Sequence, residues 1–359
     1  MKKTILSSLL LAVCAFGAQA QVTTSKEFEV SVSQPYEVVD ASTKRSFTNG
    51  TDVLTVKVGG YKATIQKFTG DNLNCVSVKG DPKLEKGFLF EELLQIDGKV
   101  YLFYSVWDKA NTTEQLFKRE IDFESGDFTG PGEKMFGVSK KITRVVDPMN
   151  AVVNNTSMIG GFGGMAIPKF SFQQSNDKSH LVVRYRIKPE IKDDTKNYDV
   201  IGMYVYNKSV DEVWHKEFKM PFTESKMDNL DFSVDKEGNG YFLTKVYKGD
   251  RPKERDSDKD PNYTIQLFKA DGDGELETSE IDVKGHFISG INLFEDPKGY
   301  MVCAGYYRKD IKKGVDGVFL AKLKKDGEVE TVISHEIPLE VLNTYISKRA
   351  QEKNENKED

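Results

Sequence analysis

Apolar runs rich in β-branched and aromatic residues alternate along this chain with short polar turns, and the turns recur in a fixed order. Five times such a run reaches a turn and continues into a second run. The first three are Ala63–Phe68 into Gly70-Asp71-Asn72, Gln115–Ile121 into Glu124-Ser125-Gly126, and Val200–Tyr206 into Asn207-Lys208-Ser209. Thr264–Phe268 into Asp271-Gly272-Asp273-Gly274 and Val318–Leu323 into Lys325-Asp326-Gly327 complete the series. With Gly70, Ser125, Lys208, Gly272 and Asp326 as turn centres, the spacings are 55, 83, 64 and 54 residues. Asn, Asp and Gly between such runs are hairpin signals, because they tolerate the backbone angles that tight turns require.

A second hairpin precedes each of these. Its turns are Asn49-Gly50, Asp97-Gly98-Lys99, Asn176-Asp177-Lys178, Lys236–Asn239 and Asp296–Gly299. Each unit therefore holds about four strands. A recurring four-stranded unit of this size predicts an all-β chain, a β-propeller of about five blades. After Pro338, Leu339, Leu342 and Ile346 fall at helical spacing and predict a short C-terminal helix, followed by the charged tail Gln351–Asp359. The connections between second and third strands vary most: Gly59-Gly60, Asp108–Glu114, Lys188–Asp199, Gly249–Asn262 and Arg308–Gly317. Nine of the fourteen residues from Gly249 to Asn262 are charged, whereas Pro148–Pro168 has no charge in 21 positions. Odd composition in connections points to a working face, since blade packing fixes the strands themselves. The plain alternative is a solvated rim with a Gly-rich insertion.

The first twenty residues read differently from the rest. Met1-Lys2-Lys3 is a positive start, Ile5–Phe16 an apolar run, and Ala18-Gln19-Ala20 a small-x-small site. That is the layout of a secretory leader. The expected organisation is thus leader 1–20, propeller 21–337, and helix with charged tail 338–359. The expected location is periplasmic or extracellular, and no later apolar run reaches the roughly 20 residues of a membrane helix. Export permits disulfides, but two cysteines beyond the leader, Cys75 and Cys303, are not a disulfide scaffold. Cys75 falls near an outer strand and Cys303 on an inner one, so both are expected as free thiols. A net charge of −5 with 30% charged residues and no basic stretch argues against nucleic acid as a partner.

Candidate chemistry is sparse. Gly161-Phe162-Gly163-Gly164-Met165-Ala166 matches a dinucleotide fingerprint in letters only, because Pro168 follows and no strand–helix unit surrounds it. Asp256, Asp258 and Asp260 begin like a calcium loop, but Pro261 stands where glycine is needed and Leu267 where a bidentate Glu is needed. Asp271, Asp273 and Glu275 alternate in a repeat turn, which turn chemistry explains. The four histidines, His180, His215, His286 and His335, show no metal-ligand spacing. Lys99–Ser105 is similar to a strand common in five-bladed glycosidase propellers, which need two facing carboxylates. The stretch Phe28–Phe47 offers Glu37 and Asp40, without the surroundings of their base. Asp211–Phe218 should be an outermost strand, with Trp214 packed between blades and His215 facing solvent.

The leader ending Ala18-Gln19-Ala20-Gln21, the strands Val213–Glu217 and Gly317–Leu323, and Ala304-Gly305-Tyr306-Tyr307 resemble a group of exported, propeller-like proteins of Bacteroidota with no established function. The resemblance covers most of the chain beyond the leader. It implies the propeller fold, but no activity and no functional residue; members of that group often carry further blades after the helix. The reading is an exported binding or interaction module of the cell envelope. An envelope protein or a glycan is its expected ligand, and no catalytic, cofactor or metal residue is assigned. The alternative is a secreted glycan hydrolase of the five-bladed type.

Overall fold

The computed structural model describes residues 33–355, apart from 42, 60–61, 81–83, 86, 144–167, 250–260, 283–284, 312–313, 325–327 and 345. The leader, the calcium-like and dinucleotide-like stretches, and most of the two unusual connections lie outside the described residues.

The recurring turns build five antiparallel sheets, the blades of a β-propeller. Blade one comprises β1 (Thr43–Thr48), β2 (Val53–Gly59), β3 (Lys62–Thr69) and β4 (Asn74–Gly80). Blade two has β5 (Leu89–Ile96), β6 (Lys99–Asp108), β7 (Thr113–Asp122), β8 (Asp127–Phe128) and β9 (Glu133–Val138). Blade three has β10 (Ile142–Thr143), β11 (Ser171–Gln174), β12 (His180–Ile187), β13 (Tyr198–Asn207) and β14 (Glu212–Thr223). Blade four has β15 (Met227–Val234), β16 (Gly240–Tyr247), β17 (Tyr263–Ala270) and β18 (Glu277–Ile281). Blade five has β19 (Phe287–Glu295), β20 (Met301–Arg308), β21 (Gly317–Leu323) and β22 (Val329–Glu336).

Two blades depart from four strands because one position in each is divided. In blade two, β8 and β9 both pair with β7, and the break falls at Gly130-Pro131. Gly130 has φ of 63°, and Pro131 has no N–H to give the ladder. In blade three, β10 and β11 both pair with β12, and the uncharged stretch falls between them.

First strands lie innermost. Arg45 Nη1 of β1 donates to Leu93 O of β5 at 3.1 Å, and Gln174 Nε2 of β11 to Gln95 O of β5 at 3.3 Å. Gln173 Nε2 reaches Ser233 Oγ of β15 at 3.2 Å, and Leu293 N of β19 donates to Asp231 Oδ2 at 2.7 Å. Alternation then sends one face of each sheet to each neighbour. Leu102 packs with Leu54 and Val56 of blade one, while Tyr101 and Phe103 pack with Leu181 and Val183 of blade three. Met203 meets Phe232 and Phe242, and Leu243 and Ile265 meet Leu293 and Phe319. Four such cores join blades one to five in succession. Among the described residues none joins blade five to blade one.

Cys75 on β4 is half-buried, Cys303 is fully buried, and both thiols are free. Cys303 lies on the second strand of its blade rather than the innermost. Trp214 packs on blade four as expected, its indole N–H donating to Gly238 O at 2.9 Å. His215 is exposed, stacked on Tyr204 and bonded to Glu212 Oε1 at 2.7 Å. The expected single C-terminal helix is two pieces, α1 (Leu339–Asn343) and α2 (Lys348–Glu355). Thr344 N turns back to Val341 O and Gln351 N starts the second piece on Ser347 O, and no residue of α1 is buried. No described helix is long and apolar enough to cross a membrane.

Candidate functional site

The variable connections between second and third strands share one face with the starts of the first strands. Three first strands carry a β-bulge at that end, at Glu91 of β5, Leu230 of β15 and Ser289 of β19. In blade three the corresponding place is the gap between β10 and β11, flanked by the pairs Thr143↔Arg186 and Ser171↔Arg184. The uncharged stretch is therefore an insertion at a bulge position. Its flanks, and Lys248 and Asn262 bonded at 3.0 Å beside the charged connection, lie on the face expected from the sequence.

A bulge re-aims a side chain, and here it turns a carboxyl into a seam between blades. Glu91, 3% exposed, shares a hydrogen bond of 2.5 Å with the Ser105 hydroxyl and accepts the backbone N–H groups of Lys169 at 2.7 Å and Phe170 at 3.0 Å. Lys169 also places its ammonium 2.6 Å from the buried Glu114 carboxylate. Burial raises Glu91 from the ordinary 4.5 to about 8, against the lowering effect of its hydrogen bonds and of Lys169. At pH 7 this carboxyl holds its proton, and Lys169 has Glu114 as its ionic partner.

The next seam repeats the device. Asp199 of β13 sits opposite a bulge of β14, at Met220–Phe222, and is 2% exposed. It pairs with Arg186 at 3.2 Å and accepts from Asn229 Nδ2 of blade four at 2.7 Å. Glu224 stands against it. Burial, then the Asp199 charge, raise Glu224 from 4.5 to about 7, while Arg186 opposes them. One further seam is closed by Asp231, which receives Leu293 N, and Arg45 pairs with Glu92 at 2.9 Å across the first. On the opposite face, Glu295 of blade five accepts Asn176 N at 3.1 Å and Lys236 N at 3.0 Å, tying blades three and four to it.

Beside the Asp199–Glu224 pair lies an open concavity of about 620 Å³, lined by Thr195, Lys196, Tyr198, Pro221, Phe222, Thr223 and Lys226. Tyr198 and Thr223 face each other at the end of β13 and β14. The Tyr198 ring is 41% exposed, with the Lys219 ammonium 4.6 Å over its centroid.

The residues singled out in the sequence are mostly elsewhere. Glu37 and Asp40 lie exposed on the stretch before β1, with Asp40 3.7 Å from Lys44, and neither lines the concavity. Asp271 Oδ1 accepts Gly274 N at 2.9 Å and Asp273 N at 3.1 Å, which is turn chemistry, as expected. Glu91, Asp199, Glu224 and Tyr198 were not singled out. A usable signal existed for Glu91: Glu91-Glu92 between Leu89-Phe90 and Leu93-Leu94 breaks the alternation, which marks a bulge.

No family model matches the chain, and no curated protein matches it. Among solved structures it is similar to a Penicillium chrysogenum α-L-arabinanase complexed with arabinobiose, at 11% identity and TM-score 0.36, over 82% of this chain and 92% of that one. A thermostable family-43 glycoside hydrolase gives 12% identity and TM-score 0.32, over 82% and 94%. A protein of unknown function from Bacteroides caccae gives 10% identity and TM-score 0.29, over 79% and 94%.

Proposed function

We propose that this chain is an exported binding module of the cell envelope that holds a glycan in the concavity beside blade three. The observation that carries the reading is the division of labour on that face. Its buried carboxyls are committed to seams: Glu91 to two backbone N–H groups and Ser105, Glu114 to Lys169, Asp199 to Arg186 and Asn229. The concavity, by contrast, is open and mixes Tyr198, Phe222 and Pro221 with the hydroxyls of Thr195 and Thr223. A sugar presents apolar C–H faces and hydroxyl edges, and such a lining meets both.

A glycan hydrolase is the second reading, favoured by one fact: Glu224, at about 7, can carry the proton a general acid needs. The geometry opposes it. The Asp199 charge acts on Glu224, and Asp199 is itself held by Arg186 at 3.2 Å and by Asn229 at 2.7 Å, whereas a glycosidase needs its second carboxyl free to face the sugar or a water.

Tyr198→Ala is expected to weaken retention by soluble polysaccharide in affinity electrophoresis about tenfold, which corresponds to ~1.4 kcal/mol. The melting temperature should stay within a degree or so, because the ring is half in solvent. A panel of arabinan, xylan, galactan and pectin serves as probe. Equal retention of wild type and variant by every polysaccharide that binds would place the ligand elsewhere.

A further inference from the structure

The two ends of the blade series differ from every internal seam. The face of blade one turned away from blade two carries Phe68 and Gln66, and residues 33–41 run across it. Tyr36 packs edge-on against Phe68 at 5.1 Å, Glu37 O accepts Gln66 Nε2 at 3.1 Å, and Gln34 N reaches Asn74 Oδ1 at 3.3 Å. The stretch thus crosses from the innermost strand of the blade to its outermost. Val38 beside it is 79% exposed.

The face of blade five turned away from blade four has no such cover among the described residues. Cys303, Leu293 and Ala321 point to blade four. Their alternates on the other side include Val302, buried between its neighbours, and Phe294, Tyr306, Val318, Leu320 and Ile333, all large and exposed, with Tyr306 at 52% and Ile333 at 58%. The register aligns Leu320 with Ile333, and Val318 with Tyr306, so they form one continuous patch. An apolar sheet face of this kind on an otherwise charged protein marks a docking surface.

The chain itself supplies a matching element. Glu27-Phe28-Glu29-Val30-Ser31-Val32, directly before the stretch on blade one, alternates polar and apolar positions with a strict period of two. Extended, six residues span about 20 Å, the length of an ordinary strand. One of its faces would be Phe28, Val30 and Val32. The other would be Glu27, Glu29 and Ser31, suited to solvent.

We propose that residues 27–32 seat Phe28, Val30 and Val32 on the open face of blade five, so that the N-terminal stretch bridges the two ends of the blade series. Residues 33–41 already hold the blade-one side, and the bridge gives both terminal faces an apolar cover that no blade-five to blade-one core among the described residues provides.

The test is a cysteine pair, Val30→Cys with Leu320→Cys, in the full chain carrying Cys75→Ser. Mild oxidation should give an intrachain disulfide, identified by its peptide mass. A control pair, Val30→Cys with the exposed Val213→Cys of blade three, should not. Equal yields for the two pairs, no intrachain bond, or bonds only between chains would overturn the proposal, the last result assigning the face to a second copy. Hydrogen exchange on the unsubstituted protein gives a second reading. Removing residues 27–32 should speed exchange at least tenfold across Gly317–Glu336 and leave blade three unchanged. Unchanged exchange in blade five would overturn the proposal as well. Neither readout depends on glycan binding.

Discussion

Glu91→Ala is expected to destabilise the protein by about 3–5 kcal/mol, whereas Glu91→Gln should cost less than about 1 kcal/mol at pH 7. Alanine strands two donors in the seam between blades two and three, Lys169 N and Phe170 N, and leaves the Ser105 hydroxyl without its carboxyl partner. Glutamine keeps the acceptor for the two backbone groups and offers an N–H toward Ser105. It also mimics the protonated acid, the form this carboxyl holds at neutral pH because burial raises it to about 8. The two variants also differ in their pH response. Between about 4.5 and 8 the folded protein binds a proton at Glu91 that the unfolded chain does not. Stability from this group is therefore complete below 4.5 and is lost as pH rises towards 8. Glu224, raised to about 7, adds a slope of the same sign. Urea midpoints measured from pH 4.5 to 8.5 should fall for wild type, and fall less steeply for Glu91→Gln. Equal losses for Ala and Gln, or parallel pH slopes, would mean that Glu91 is ionised in the folded protein.

Gly305→Ala is the second large effect, at about 3 kcal/mol or more. Gly305 pairs with Ile291 just past the β19 bulge. A Cβ there would lie 2.0 Å from Gly290 O and 2.9 Å from Ile291 Cα. Those are backbone atoms of an inner strand and have no rotamer to move into. Gly80→Ala is the matched control, since its Cβ would meet only Thr64 Oγ1 at 3.9 Å. It should change the urea midpoint by no more than the equivalent of about 0.5 kcal/mol. A similar loss in both variants would show that flexibility, and not close approach at the bulge, sets the cost.

The blades were legible because hairpins are local. Asp97-Gly98, Asn207–Ser209 and Asp271–Gly274 announce their turns within four residues, and alternation of the flanking strands fixes which side chains enter a core. The division of β8 from β9 was not anticipated, although Gly130-Pro131 is a local signal for it. The seams were not legible. Glu91 meets Phe170 across 79 positions, and Asn229 meets Asp199 across 30, so no spacing in the sequence relates them. The concavity was hidden for the same reason, since Tyr198 and Phe222 come together only through the β13–β14 register. Glu37 and Asp40 attracted notice by position alone, and position before an inner strand does not put a carboxyl over a pocket.

In the function proposed above, the carboxyls of this face hold blades together while the blade-three concavity holds the ligand. One incubation of the protein with each polysaccharide, read for bound protein and for released reducing ends, tests it most directly. Retention by at least one polysaccharide, dependent on Tyr198, is expected, with no reducing ends above the protein-free control. Release of reducing ends that is abolished by Glu224→Gln, in a variant that keeps its melting temperature, would contradict it.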